Sequence, residues 1–287
     1  MPVYSFYIYI SFKYPPHRDQ LAIRANYPFI PSSPEIHEMT SFESPKLPTI
    51  SFDFLKNLND QHLREASEIR GNKTFYYYEP SADKRFFLKP CELPQAEYEL
   101  MIQAGPKCVI QPVALVFSPP KSHYPWGIMM PLAEPINNWT VGMMEAAIAA
   151  MELLHKRRIL HCDIHPAQFI LWNSKVVLCD LGSAQYLKKG SDSEAERYPV
   201  DSSWNYFSPK RLRDIYNEKF TPATVHDDKY AMGLTIWAIE TKKRPYGVDN
   251  DDVAYAVVER GVTVNFGEVE DQQARLLIEK SCPEGLR

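Results

Sequence analysis

The spacing of hydrophobic and polar positions changes along this chain, and the changes divide it. Between Pro15 and Pro48, seven prolines interspersed with Ser, His and Asn remove backbone donors and interrupt any helical or strand period. Residues 1–60 therefore read as a poorly ordered, proline- and aromatic-rich N-terminal extension, the alternative being that the aromatic run Val3–Phe12 docks on the main domain as a strand. From Thr74 to Lys89, the aromatic runs TFYYYEP and RFFLK flank a turn-like Ser-Ala-Asp-Lys, which predicts a β-hairpin. LPQAEYELMIQAG predicts a short helix stopped at Gly105-Pro106. CVIQPVALVF and WGIMMPL predict two further strands.

After Asn138 the period becomes helical. Thr140 can cap a run in which Met143, Met144, Ala147, Ile148, Met151 and Leu154 recur on one face, and Lys156, Arg157 and Arg158 suit the negative end of its dipole. DDKYAMGLTIWAIETKK is apolar almost all round, as in a helix buried within a lobe. Helices are also predicted at 251–260 and 270–280, and there is no internal repeat. The fold class is α+β: a small, mostly-β lobe with one helix at about 61–133, then a larger helical lobe at about 134–287.

Composition narrows the function classes. A chain of 287 residues, 45% hydrophobic and 24% charged, can bury a sizeable core and is neither wholly disordered nor fibrous. Its net charge of −4 supplies no basic field for nucleic acid or an acidic membrane, so neither is expected as a partner. Five cysteines without a repeated CxxC spacing form no closed disulfide framework, which points to an intracellular, cytoplasmic setting. The opening MPVYSFYIYISF lacks a basic leader and a cleavage site and meets Lys13 too soon to span a bilayer, so it reads as neither signal nor anchor.

The chemistry is concentrated between His155 and Ala184. There, Asp163, Gln168 and Asp180 fall on two loops joined by a short hydrophobic hairpin, an arrangement suited to holding a phosphate-bound metal beside a base. From about Arg70 onward the chain resembles the eukaryotic-type protein kinase domain. RFFLK is similar to the third-strand VAIK motif, HCDIHPAQF to the HRDLKPxN catalytic loop, CDLG to the DFG turn, YFSPK to APE and DKYAMG to the DxWSxG start of the central helix, all in the family's order. The resemblance implies the bilobal protein kinase-like fold, with ATP and Mg²⁺ as cofactors.

It further implies Asp163 as the base that orients the acceptor hydroxyl and Asp180 as a Mg²⁺ ligand. Gln168 stands where the family has Asn as the second metal ligand. Lys89 would hold the α- and β-phosphates with Glu97 as its ion-pair partner, Glu99 being the other contender. Gly71, alone in IRGNKTFYYY, would cover the phosphates. Met130 would be the gatekeeper of the adenine pocket, with Pro131, Leu132 and Ala133 as the hinge. Pro166 leans towards the serine/threonine type.

The departures from the pattern carry their own expectations. The extra methylene of Gln168 suits an octahedral Mg²⁺ poorly, so metal binding is expected to be weak or limited to one ion. His165 replaces a Lys near the transferred phosphate, which makes that charge partial and pH-dependent, unless the ring only hydrogen-bonds within the loop. Cys162 replaces the Arg that pairs with an activation-segment phosphate, so activity should not depend on phosphorylation between Asp180 and Lys210 at Ser191, Ser193 or Tyr198. Leu181 replaces Phe and keeps the apolar contact. Only seven residues separate Lys89 from Glu97, which predicts a shortened helix. Lys210 replaces the Glu of APE and cannot pair with Arg287, and the usual last helix of the lobe is expected to be missing. His155, His161, Cys162, His165 and Cys179 could together suggest zinc, but their spacing fits no common structural site.

The function expected is transfer of the ATP γ-phosphoryl group to a protein hydroxyl. The alternative is a pseudokinase that keeps the fold as a binding or regulatory module. A small-molecule kinase of the aminoglycoside type ranks last, because such enzymes generally lack the SPK-like and DKYAMG-like segments. Neither the protein substrate nor the oligomeric state is specified.

Overall fold

A computed structural model of the chain describes residues 49–51, 63–69, 72–79, 84–91, 93–117, 125–196 and 202–282, all within one compact unit spanning 46–287. Gly71, Tyr198 and Arg287 lie outside the described residues, as does the expected N-terminal extension apart from Thr49–Ser51.

The aromatic runs become strands. β3 (Asn72–Glu79) and β4 (Lys84–Pro90) pair antiparallel, with Tyr76 opposite Phe87 and Tyr77 opposite Phe86. Their rings lie 5.9 and 6.1 Å apart, at the spacing by which cross-strand aromatic pairs stabilise a hairpin. With β1 (Thr49–Ser51), β2 (Leu63–Ile69), β5 (Ala114–Phe117) and β6 (Pro125–Pro131) they form a sheet of order β1-β5-β6-β4-β3-β2, antiparallel except for β1 on β5. β2 escapes prediction because LREASEI shows no alternation of apolar and polar residues. It is an edge strand, where charge is tolerated.

Helix α1 (Pro94–Ala104) starts with Pro at its first turn and ends at Gly105, whose φ of +78° a side chain would resist. Eleven residues long, it is the short helix that the Lys89-to-Glu97 spacing predicts. The segment after it reaches across to the larger lobe. Leu178 donates to Cys108 O at 2.8 Å, and Ile110 donates to Leu178 O at 2.9 Å. This bridge ties the small lobe to the strand that leads into Asp180.

α2 (Val141–Lys156) begins where the Thr140 hydroxyl accepts the Met143 N–H at 3.3 Å, and it buries Met144, Ala147, Ile148, Met151 and Leu154. α3 (Pro209–Tyr216) is short and polar, so its apolar period is too brief to announce it. It is set by the Ser208 hydroxyl accepting from Arg211 and by Pro209 at its first turn. α4 (Val225–Thr241) carries a capping box between Thr224 and Asp227 and is buried on nearly every face, as its composition demands. α5 (Val253–Glu259) falls within the predicted 251–260, shortened at both ends, and α6 (Gln272–Ser281) starts two residues later and ends one later than the predicted 270–280. One buried cluster runs from Tyr98 and Met101 through Ile128, Met151 and Leu178 to Trp237 and Ile278, so both lobes share a core. None of the described helices is long and apolar enough to cross a membrane.

Gly127 in β6 has a tertiary role. A Cβ placed there would stand 2.3 Å from the carbonyl oxygen of Lys89 on the paired strand. Gly127→Ala is expected to force β4 and β6 apart, costing about 1–3 kcal/mol by overpacking and displacing Lys89. Chemical unfolding of the variant checks this, and an unfolding free energy equal to the wild type's would contradict it.

Candidate active site

Two short hairpin strands bring the chemistry together. β8 (Ile159–Leu160) leads into the loop from His161 to His165. A turn at Pro166–Gln168 follows, then β9 (Phe169–Trp172) and β10 (Lys175–Leu178), paired from Trp172 opposite Lys175 to Phe169 opposite Leu178. β7 (Glu134–Pro135), a few residues after β6, pairs with β9. Asn173 and Ser174 both have positive φ, the geometry of a tight hairpin turn. The chain thus leaves at Phe169 and returns at Leu178, and Cys179 N–H donates to Gln168 O at 2.9 Å. Asp180 is therefore delivered beside the loop that carries Asp163.

Lys89 is turned towards Asp180 rather than towards solvent. Its Nζ donates to Glu97 Oε1 at 2.7 Å and to Asp180 Oδ1 at 2.6 Å. Burial disfavours the Lys89 charge, but Asp180 and then Glu97 outweigh it and hold the ammonium above its usual range. Asp180 is likewise opposed by burial and pulled below the usual carboxylate range by Lys89 and by the Gly182 N–H. Glu97 is 4% exposed, whereas Glu99 lies on the solvent face and accepts from Gln95. The structure thus brings Lys89 together with Glu97 and not with Glu99.

Asp163 is held at both oxygens. Ser203 N–H donates to Oδ1 at 2.7 Å, and the Gln168 amide donates to Oδ2 at 3.1 Å. His165 Nε2 is 3.6 Å from Oδ2 and 3.0 Å from the Gln168 amide nitrogen, and its ring lies 5.6 Å from that of Tyr206. Burial raises the Asp163 pKa, but His165 and the Ser203 N–H overcome it and bring the carboxyl to about 2. A folded value below the unfolded one means stability that is complete above about pH 4 and lost as pH falls through about 2. The pair of values corresponds to about 2 kcal/mol. Unfolding measured at pH 6 and at pH 2 should show the gap between wild type and Asp163→Asn narrowing by about this amount.

The backbone at both loops is unusual. Cys162 and Asp180 have φ of 65° and 57°, a region that costs non-glycine residues about 1–3 kcal/mol. Asp228 of α4 compensates at Cys162. Its carboxylate accepts the N–H groups of His161 and Cys162 at 2.8 and 2.9 Å and the His155 ring N–H at 2.8 Å, while itself 2% exposed. His161, fully buried, lies 3.0 Å from Cys179 O and so links the two loops. Asp228 and Ser203 were missed by sequence reasoning. DKYAMG contains the aspartate, but nothing local shows that it faces a loop 67 residues away.

Met130, 5% exposed on β6 opposite Phe87, joins the core. Leu132 follows at the end of β6, with its N–H spent on Arg85 O at 2.9 Å. Leu181 is 1% exposed within the core, so its apolar contact is kept. Lys210 pairs with Asp214, whereas the neighbouring Arg211, 4% exposed, binds Asp227 at 2.5 Å and donates to the carbonyls of Thr221 and Pro222. This buried pair ties the start of α3 to the start of α4. The histidines and cysteines of the zinc alternative are engaged separately, and no set of three or more His, Cys, Asp or Glu ligands converges among the described residues.

The residues present fit Mg²⁺ and phosphate. Asp180 and the Gln168 amide oxygen are hard donors, and Lys89 is a fixed cation beside Asp180. Glycine at 182 leaves their approach open, since a Cβ there would stand 3.2 Å from Asp180 Oδ1 and 3.7 Å from Lys89 Nζ.

A family model described as the protein kinase domain matches residues 136–282, just over half of the chain. The proto-oncogene serine/threonine-protein kinase mos of Mus musculus is 30% identical over 106 residues, 37% of this chain and 29% of the mouse protein. The serine/threonine-protein kinase mos of Xenopus laevis is 25% identical over 143 residues, 46% of this chain and 38% of the frog protein. An Aurora kinase of Eremothecium gossypii is 28% identical over 134 residues, 46% of this chain and 33% of that kinase. The chain thus spans well under half the length of these curated relatives.

Proposed function

We propose that this chain, which belongs to the protein kinase family, transfers the γ-phosphoryl group of Mg·ATP to a serine or threonine hydroxyl of a protein. The observation that carries this is the placement of Lys89 Nζ at 2.7 Å from Glu97 and 2.6 Å from Asp180, with Asp163 fixed on the adjoining loop. Bound Mg·ATP would supply the phosphoryl donor and the charge that neutralises it. Asp180, with Gln168 beside it, would hold the metal, Lys89 the phosphates, and Met130 and Leu132 the adenine side. Asp163 lines up the acceptor hydroxyl. A carboxyl held at about 2 is a weak base, so alignment is its main contribution and the proton is accepted late. His165 adds positive charge near the transferred group when protonated. A cytoplasmic setting, where ATP is abundant, belongs to the same proposal.

One observation favours the pseudokinase reading. The Asp180 carboxylate is already bonded to Lys89 and must share itself with a metal for transfer to occur. Thermal shift with Mg·ATP alongside radiolabelled transfer separates the two, using wild type and Asp180→Ala. Transfer by the wild type, lost by about 10²-fold or more in the variant, supports the enzyme. Nucleotide binding without variant-sensitive transfer would leave a binding module.

A further inference from the structure

The stretch from Leu187 to Ala195, between the DLG turn and α3, is held against the catalytic loop by groups that need no modification. β11 (Gln185–Tyr186) pairs with β8, and Lys188 N–H donates to Glu194 O at 2.7 Å. Val225 donates to Ser193 O and Ala195 to Ala223 O, both at 2.8 Å. Beneath this lies a small apolar cluster of Leu160, Cys162, Leu187, Ala195 and Ala223, with Val225 against it. Cys162 is 6% exposed there. The side chain that replaces a phosphate-binding arginine is thus part of an apolar staple under the segment.

Arg158 stands four residues before Cys162, with φ of 63°. Its own carbonyl accepts the Leu187 N–H at 2.8 Å. Its guanidinium donates to Lys188 O at 3.0 Å, Ser191 O at 2.8 Å and Asp192 Oδ1 at 3.0 Å. The Arg158 backbone therefore holds the segment at one point and its guanidinium at three, a spread of acceptors that the planar, multiply donating guanidinium spans and an ammonium does not. The Asp192 carboxylate is fully exposed and its attraction is screened, so the two backbone carbonyls carry the clamp. Those acceptors are always present.

We infer that Arg158 is the positioning residue of this segment, fixing Lys188–Asp192 beside the catalytic loop through permanent carbonyl acceptors in place of a phosphate. The inference rests on the phosphotransfer reading only for its effect on substrate binding. Structurally it is independent of catalysis.

Hydrogen exchange over residues 185–196, measured on the full chain, tests it. Arg158→Ala should speed exchange of the Leu187, Lys188 and Ala195 amides by about tenfold, Arg158→Lys by less, and Asp192→Ala by less than about twofold. Arg158→Gly relieves the positive φ and removes the clamp, so it should exchange as fast as the alanine variant. In the active chain, the KM for a peptide substrate should rise about threefold or more while that for Mg·ATP is unchanged. Unchanged exchange in Arg158→Ala, or wild-type protection in Arg158→Gly, would overturn the inference, as would protection that appears only after phosphorylation of Ser191 or Ser193. A chain that transfers no phosphate yet shows the tenfold change would sink the enzyme reading and leave this one standing.

Discussion

Asp163→Asn is expected to lower kcat by about 10³-fold while Mg·ATP binding stays within about twofold of wild type. The amide keeps the volume of the carboxyl and can still accept the Ser203 N–H, so the loop should hold its shape. Two things are lost: the proton acceptor, and the charge that aligns the hydroxyl. The new NH₂ group also faces the Gln168 amide nitrogen, which donates to Asp163 in the wild type, so that bond is lost. Steady-state kinetics with nucleotide titration reads both effects. A variant that retains a tenth of the wild-type rate would remove Asp163 from the mechanism.

Asp228→Ala should be the most damaging single change to stability, at about 3–5 kcal/mol. The reason lies in what is left behind. Two backbone N–H groups, of His161 and Cys162, lose their acceptor in a dry interior, and the His155 ring loses its partner. Cys162 would then lose the acceptor that steadies its positive φ, so the catalytic loop should lose its form before the domain unfolds. Asp228→Asn, which keeps one acceptor oxygen, should cost about half as much. Urea titration gives the free energies, and a loss below about 1 kcal/mol for the alanine variant would show that the loop is held by something else. Asp228 is pulled below the usual carboxylate range by His155 and His161 against its own burial, so its contribution, like that of Asp163, is present near neutral pH and fades in acid.

Much of the fold was legible because local periods report burial. The aromatic runs of Thr74–Lys89 became a hairpin with ring pairs in register, and the all-round apolarity of the DKYAMG run became the central buried helix. Motif order did the same for the site, naming Lys89, Asp163 and Asp180 before any geometry was available. What stayed hidden has a common character. β2 is an edge strand with charges and no alternation, and α3 is too short for its period to stand out. Asp228 stands in the DKYAMG motif, but nothing local shows which backbone groups it meets.

The sequence alone determined the class of fold, the order of its parts and the residue types available for phosphoryl transfer, because these depend on local pattern and on motifs only a few residues long. Only the tertiary structure decided which groups meet. It set Glu97 rather than Glu99 against Lys89, gave Lys89 a partner 91 residues away in Asp180, sealed Cys162 into an apolar cluster and turned Arg158 into a clamp on carbonyls. The physical reason is that a hydrogen bond or ion pair depends on a separation of about 3 Å in space, and spacing along the chain does not fix that separation until the core has packed.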